Sequence, residues 1–310
     1  MNDIYIIGGA NIDILGKAKS SLVLQDSNIG KISYSFGGVA RNIANNLSII
    51  GNKVKLVTVF ANDVFGSLLI NDCKKCGIDV SLSLISEIGS SFYLSILDDN
   101  SDLLVGVADM EILHMLSISH INNVLLEIEK SDIIVMDTNL DKTTINHVLT
   151  NASCPVFVDP ISTIKADKIK DELKHIFMLK PNRLEAEKLS GIKIKDKFTA
   201  YQTLDYFLSH GINEIVITLG KDGIIASDNK EYLWAYHSYV EVVNANGAGD
   251  AFMAGYIDSY KKQLSLKEKL NNAANLARLT LMNEKTVVDG IDITDLKRTL
   301  NEKTLVFEDI

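Results

Sequence analysis

Short apolar runs rich in Ile and Val recur along the chain: "IYIIGG", "VKLVTVF", "DIIVMD", "VFVDP", "IFMLKP" and "EIVITLG". Each has the length and β-branched content of a buried strand. Between most of them the apolar spacing changes to three and four. Ala40, Ile43, Ala44, Leu47 and Ile50 show it in "GGVARNIANNLSIIG", and Leu270, Ala273, Ala274, Ala277 and Leu281 show it near the C-terminus. Strands alternating with helices predict an α/β fold, a mostly parallel central sheet with helices on both faces. Ligands of such sheets bind beyond the carboxyl ends of the strands. The loops that follow these runs are therefore where chemistry is sought.

Two regions break the alternation. Residues 14–36 hold two strand-like pieces around a polar loop, and residues 81–109 hold three more with no helix among them. Strands without helices predict a small separate sheet, placed as a lid. No internal repeat, low-complexity tract or proline-rich linker divides the chain, so residues 1–310 are expected to form one domain. A last helix-like segment lies near 294–302, and "TLVFEDI" after it carries no clear signal.

Composition narrows the function classes. With 310 residues, 46% of them hydrophobic, a large core is expected. The net charge of −9 argues against a nucleic-acid footprint, which needs a basic face. It does not prevent phosphate binding, since local backbone amides and a few cations suffice. Of the three cysteines, Cys73 and Cys76 form "CKKC" with no second pair beside them, so reduced thiols are expected rather than a zinc or redox site. "MNDIYIIGG" lacks the cationic and long apolar parts of a signal peptide, and no run reaches the ~18 apolar residues of a membrane span. The expected setting is soluble and cytoplasmic, without membrane or nucleic-acid partners.

The stretch "VVNANGAGDAFMAGY", residues 242–256, reads as a strand, a glycine turn and a helix start. Gly247 and Gly249 let backbone approach a ligand, and Phe252, Gly255, Tyr256 and Ser259 share one face of a helix beginning near 248. Free N–H groups and the helix dipole there suit developing negative charge. Asp250 in such a place is expected to be a stabilised carboxylate of low pKa that can still take a proton from an attacking hydroxyl. The plainer reading is a tight strand–helix connection with an N-terminal acid. Three further stretches favour the chemical reading: "SFGGVARN" with Asn42, "KPNRLEAEKLSG" with Asn182 and Glu185, and "ITLGKDG" with Gly220 and Gly223. All four should converge on one sheet edge.

Taken in this order, these stretches resemble the ribokinase-like, or PfkB, family of carbohydrate and nucleoside kinases, over essentially the whole chain. Residues 7–53, with "DSNIGKI" ahead of "GGVARNIANNL", and residues 179–191 resemble its pseudouridine kinase branch. Ribokinase itself typically has a lysine where Val39 stands.

The resemblance implies phosphoryl transfer from ATP to a primary hydroxyl, the 5′-hydroxyl of pseudouridine in that branch. Asp250 would be the base, and the amides of Gly247, Ala248 and Gly249 the anion hole. Thr218, Gly220 and Gly223 would border the nucleotide, with Asn272 beside adenine unless it is a plain exposed helix position. Asn182 and Glu185 would hold magnesium and its waters. Asn11, Asp13, Gly38 and Asn42 would bind sugar hydroxyls. Asn139 is a further acceptor-side candidate, with a helix cap as its alternative. Ser27, Asn28 and Lys31 of the lid are the residues assigned to the base, although Lys31 also reads as a solvated loop charge. In relatives, lids of this kind often pack across a dimer, so the resemblance implies a homodimer.

Two departures stand out. Many relatives have an acid at Asn244 that helps hold potassium, so activation by K⁺ is in doubt here; Ala245 replaces a common threonine. The rival readings are a kinase of the same fold acting on ribose, adenosine or a sugar acid, and a non-catalytic sugar sensor. A dinucleotide-dependent dehydrogenase has little support, because "IGGANID" lacks the G-x-G-x-x-G spacing.

Overall fold

A computed structural model of the chain describes residues 3–98, 103–237, 242–244, 246–283, 287, 293–300 and 302–308. The strands are β1 (Ile4–Ile7), β2 (Asn11–Ala18), β3 (Gly30–Gly37), β4 (Val54–Val57), β5 (Val59–Ala61), β6 (Leu84–Ser86), β7 (Phe92–Leu97), β8 (Leu103–Asp109), β9 (Ile133–Asp137), β10 (Val156–Asp159), β11 (Met178–Leu179), β12 (Glu214–Thr218), β13 (Ile224–Ser227), β14 (Tyr232–His237) and β15 (Leu305–Glu308). The helices are α1 (Val39–Ile49), α2 (Val64–Lys75), α3 (Ile118–Leu126), α4 (Lys142–Asn151), α5 (Thr163–Ala166), α6 (Arg183–Ser190), α7 (Lys197–Ser209), α8 (Ala248–Lys261), α9 (Leu266–Leu281) and α10 (Ile293–Leu300).

Among the described residues the main sheet has nine strands in the order β15-β14-β13-β12-β11-β10-β9-β1-β4. The six from β4 to β12 are parallel, and β13, β14 and β15 add an antiparallel edge. Alternate residues feed two cores, as a sheet covered on both faces requires. Ile4, Ile6, Val135 and Phe157 pack with α1, α8 and α9. Tyr5, Ile7, Ile134 and Val158 pack on the other side with α3, α4, α6 and α7. The helical spacing read in the sequence falls on that core: Ala40, Ile43, Ala44 and Leu47 of α1 have no exposed surface.

Several details differ from expectation. "VKLVTVF" is divided at Thr58, because β5 leaves the main sheet to pair with β6 in parallel. "TLVFEDI" supplies the edge strand β15. Residues 242–244 are not a strand; the N–H groups of Val243 and Asn244 instead donate to the Leu281 carbonyl at the end of α9 (2.8 and 3.1 Å).

The small sheet has four strands, ordered β3-β2-β7-β8. It is rooted at the pair Asn11↔Gly37, so it begins before residue 14, whereas β6 belongs elsewhere. One face is apolar: Tyr34, Ile14, Leu94 and Val107 make one cross-strand row, and Ile32, Gly16, Ile96 and Val105 the next. Ile32 and Tyr34 are 78% and 60% exposed on it. Among the described residues no helix is long and apolar enough to cross a membrane.

Candidate active site

The site forms where the carboxyl ends of β1, β9, β10 and β11 meet the N-terminus of α8. Gly247 caps that helix with φ 81°, and no side chain accepts from its first amides. The left-handed φ suits glycine, and the uncapped turn leaves N–H groups free to face an anion. Asp250 lies in this first turn, 9% exposed, with Oδ2 accepting from Asn42 Nδ2 of α1 at 2.9 Å.

The expectation of a low pKa for Asp250 is overturned. Burial, aided by Asp159 and Asp137, pushes its carboxyl up to about 8, against the opposing pull of Asn42 and Lys180. The helix terminus alone suggested a stabilised anion. Desolvation beside other buried acids wins instead.

Asn11 opens β2 and donates through Nδ2 to Asp13 Oδ1 (2.6 Å). Gly37 leaves room for that acid: a Cβ there would lie 2.1 Å from Asp13 Oδ2. At Gly38, φ 97° and backbone contact with Gly9 bring the two loops together; a Cβ would meet the Gly9 carbonyl at 2.4 Å. Burial raises the Asp13 pKa, opposed by Asn11 and Arg41. Asp137, at the end of β9, pins the arrangement. Its carboxylate accepts from the amides of Gly9 (2.9 Å), Ala40 (3.1 Å) and Asn139 (2.9 Å). Asn139 is not the cap of α4, which is Asp141; its oxygen accepts from Lys165 Nζ at 2.5 Å, beside Gly9.

Lys180, following β11, occupies the centre of the site. Its Nζ is 2.9 Å from Asp159 Oδ2, and both side chains are buried. Burial pulls the Lys180 pKa down, but Asp159, with Glu185 and Asp250, more than offsets this and holds it above its usual value. A Cβ on Gly249 would sit 3.4 Å from the same Nζ. Asn182 and Glu185 form a capping box on α6. Asn182 Oδ1 accepts from the Glu185 amide (3.0 Å), Glu185 Oε2 from the Asn182 amide (2.9 Å), and Glu185 Oε1 from Asn182 Nδ2 (2.7 Å). Burial raises the Glu185 pKa, opposed by its bond from Asn182.

The donor set fits magnesium, the metal that the family implies. Glu185 is a buried acid close to the Asp159–Lys180 pair, and its raised pKa would fall beside a further cation. No cluster of three or more acids, histidines or cysteines forms a metal cage among the described residues.

The loops that follow β11 and β12 also meet. Asn182 and Thr218 form an isolated parallel bridge, and the Thr218 amide donates to the Pro181 carbonyl at 3.1 Å. Gly220 is exposed, with φ 64° and open space where a Cβ would be. Gly223 has a structural reason of its own: a Cβ would lie 2.2 Å from the Ala235 carbonyl of β14.

Other candidates fall elsewhere. Asn272 is buried in the seam between α8 and α9, neither exposed nor beside the glycine turn, and donates to Ser259 Oγ (3.2 Å). At a rise of about 1.5 Å per residue, Ser259 lies about 14 Å down α8 from Asp250, a separation that an extended ATP can span. Ser27, Asn28 and Lys31 are at the outer end of the small sheet. Lys31 pairs with Lys17, about 20 Å from Asn11 at ~3.3 Å per residue, so a base attached to a sugar at Asn11 of the same chain is out of reach. The Ser27 amide bonds Asp26, and Asn28 is engaged by Val23 and Asp26. Asn244 Oδ1 accepts from the Asn246 amide (2.9 Å), closing the turn before α8. Ala245 lies outside the described residues.

Sequence reasoning missed Asp137, Asp159 and Lys180. Each ends or directly follows a buried strand, in "DIIVMD", "VFVDP" and "IFMLKP". A charge at the carboxyl end of an apolar run was the available signal.

An uncapped helix turn, a buried acid and a pinned polar loop at one edge of an α/β sheet suit a phosphotransferase acting on an alcohol group, and the relatives of the chain are of that class. Residues 1–291 match the description "pfkB family carbohydrate kinase". The chain is 37% identical to the pseudouridine kinase of Escherichia coli (strain K12) over 94% of its own length and 95% of that protein. It is 25% identical to the guanosine-inosine kinase of Exiguobacterium acetylicum, over 89% and 93%. Among solved structures, the ribokinase of Thermotoga maritima superposes with a TM-score of 0.85 at 21% identity, over 97% of this chain and 100% of that one. The chain belongs to the pfkB family of carbohydrate kinases and has the ribokinase-like fold.

Proposed function

We propose that this kinase transfers the γ-phosphoryl group of ATP to the 5′-hydroxyl of pseudouridine, giving pseudouridine 5′-phosphate and ADP. The supporting observation is the placement of Asp250, buried in the uncapped first turn of α8 and hydrogen-bonded to Asn42 of α1. The extended similarity to a pseudouridine kinase favours that nucleoside.

Asn11 and Asp13 engage the ribose hydroxyls, each of which donates and accepts. Asp250 takes the proton of the 5′-hydroxyl as its oxygen bonds to the γ-phosphorus and the bond to the β-phosphate oxygen breaks. An acid near neutral pKa is well matched to that transfer. The amides of Gly247, Ala248 and Gly249 stabilise charge on the phosphoryl oxygens. Asn182 and Glu185 would hold magnesium through its waters; when bound, the ion neutralises phosphate charge. Thr218 and Gly220 border the nucleotide. The small sheet covers the acceptor and excludes water, which would otherwise compete for the phosphoryl group. Its apolar outer face fits a second copy of the chain, making a homodimer. The reading belongs to the cytoplasm, where ATP and nucleosides meet.

A panel of pseudouridine, uridine, ribose, adenosine and a sugar acid, followed by coupled ADP release, tests this. Pseudouridine is expected to lead in kcat/KM by about tenfold or more. A preference for ribose or adenosine overturns the substrate, and nucleoside binding without turnover of any acceptor overturns the kinase.

A further inference from the structure

The hydrogen bond on the base continues inward. Asn42 Nδ2 donates to Asp250 Oδ2 (2.9 Å), and Asn42 Oδ1 accepts from Arg41 Nη1 (3.1 Å). The same Nη1 donates to the Phe36 carbonyl at the root of the small sheet (3.0 Å), and the guanidinium lies 5.9 Å from the Phe36 ring centroid. Nη2 is paired with Asp72 of α2, and Arg41 is only 3% exposed. A carboxamide can turn over, exchanging its oxygen and its NH2 with little change of shape. Turned over, Asn42 would set an acceptor against the carboxylate of Asp250. Arginine has donors alone, so it can satisfy the oxygen of Asn42 and never its nitrogen.

We propose that Arg41 is a positioning residue for the catalytic base: by holding the Asn42 oxygen it keeps the Asn42 amide donor directed at Asp250. The inference rests on the reading of Asp250 as the base. The charged groups facing Asp250 are Asp159 from β10, Asp137 from β9 and Lys180 after β11. Around Arg41 are Asp72, Asp13 and the buried Cys73 thiol, which burial pushes up to about 12 and so keeps neutral. The amide donor favours the charged carboxylate, so its loss raises the pKa of Asp250.

The test titrates the unliganded protein labelled with ¹³C at the aspartate carboxyls, with the Asp250 signal identified by its loss in Asp250→Asn. Arg41→Met is expected to make Asp250 about tenfold weaker as an acid, about one pH unit. Asn42→Ala should do the same, and the double variant should shift no further than Asn42→Ala alone. Arg41→Lys keeps the charge and much of the packing but cannot serve both the Phe36 and Asn42 oxygens; it carries the test if the methionine variant does not fold, with a smaller rise expected. An unmoved Asp250 in folded Arg41→Met or Arg41→Lys, or shifts that simply add in the double variant, overturns the proposal. Turnover of the wild type is measured in parallel. Its absence would sink the kinase reading while leaving the titration to decide the role of Arg41.

Discussion

Lys180 Nζ and Asp159 Oδ2 lie 2.9 Å apart, both buried, directly beneath the turn that carries Asp250. This pair is the electrostatic keystone of the site, since Glu185 and Asp250 also lean on the one ammonium. Lys180→Met leaves three buried acids without their countercharge. It is expected to cost about 3–5 kcal/mol of stability, read from urea unfolding, and to lower turnover as well. A variant of unchanged stability would show that the acids find other partners.

Asp250→Asn should lower kcat by about 10²–10⁴-fold while leaving nucleoside affinity within a few-fold. Coupled ADP release and calorimetric binding separate the two effects. Turnover near that of the wild type would remove Asp250 from the chemistry.

The same carboxyl makes a stability prediction whose sign is fixed. Its folded-state pKa, about 8, is above the ordinary 3.8, so the folded protein holds a proton that the unfolded chain releases. Its contribution is fully present below about pH 4 and is lost as the pH rises through about 8. Asp250→Asn escapes that loss, so its Tm relative to the wild type should climb across this window. A Tm difference independent of pH would contradict the burial argument.

Asp13→Ala should raise KM for the nucleoside by about 10- to 100-fold, the loss of a hydrogen bond to a charged group, with KM for ATP little changed. Equal effects on both substrates would place Asp13 outside the sugar site.

For the apolar outer face, Tyr34→Glu combined with Ile32→Glu puts two charges where an exposed apolar surface now lies. Light scattering should report a dimer for the wild type and a monomer for the double variant. A wild type that is already monomeric excludes the proposed pairing.

The sequence made the parallel half of the fold legible because buried strands and amphipathic helices leave different periods in the apolar residues. It did not announce β13, β14 and β15: the first two are short hairpin partners following β12 directly, with little apolar alternation of their own, and β15 pairs with β14 from far along the chain. The glycine turn and the acceptor loops were visible as motifs, and the structure brings Asn42 and Asp250 into contact across 208 positions. The raised pKa was not visible. Spacing along a chain reports a helix terminus but not how many other acids gather around it. The assignments to Ser27, Asn28 and Lys31 treated the lid loop as adjacent to the sugar, whereas strand length sets them at the far end.

Asn11 and Asp13 are themselves the first residues of a strand that runs out into the small sheet. If Asn11 and Asp13 bind the acceptor as proposed, the handle that it grips and the small sheet are one continuous piece of backbone. A molecule large enough to pull on both residues would then set the tilt of that sheet as it seats, with no separate sensor. On the proposed function, water would have no purchase on that lever, a mechanical ground for sparing ATP when no acceptor is present.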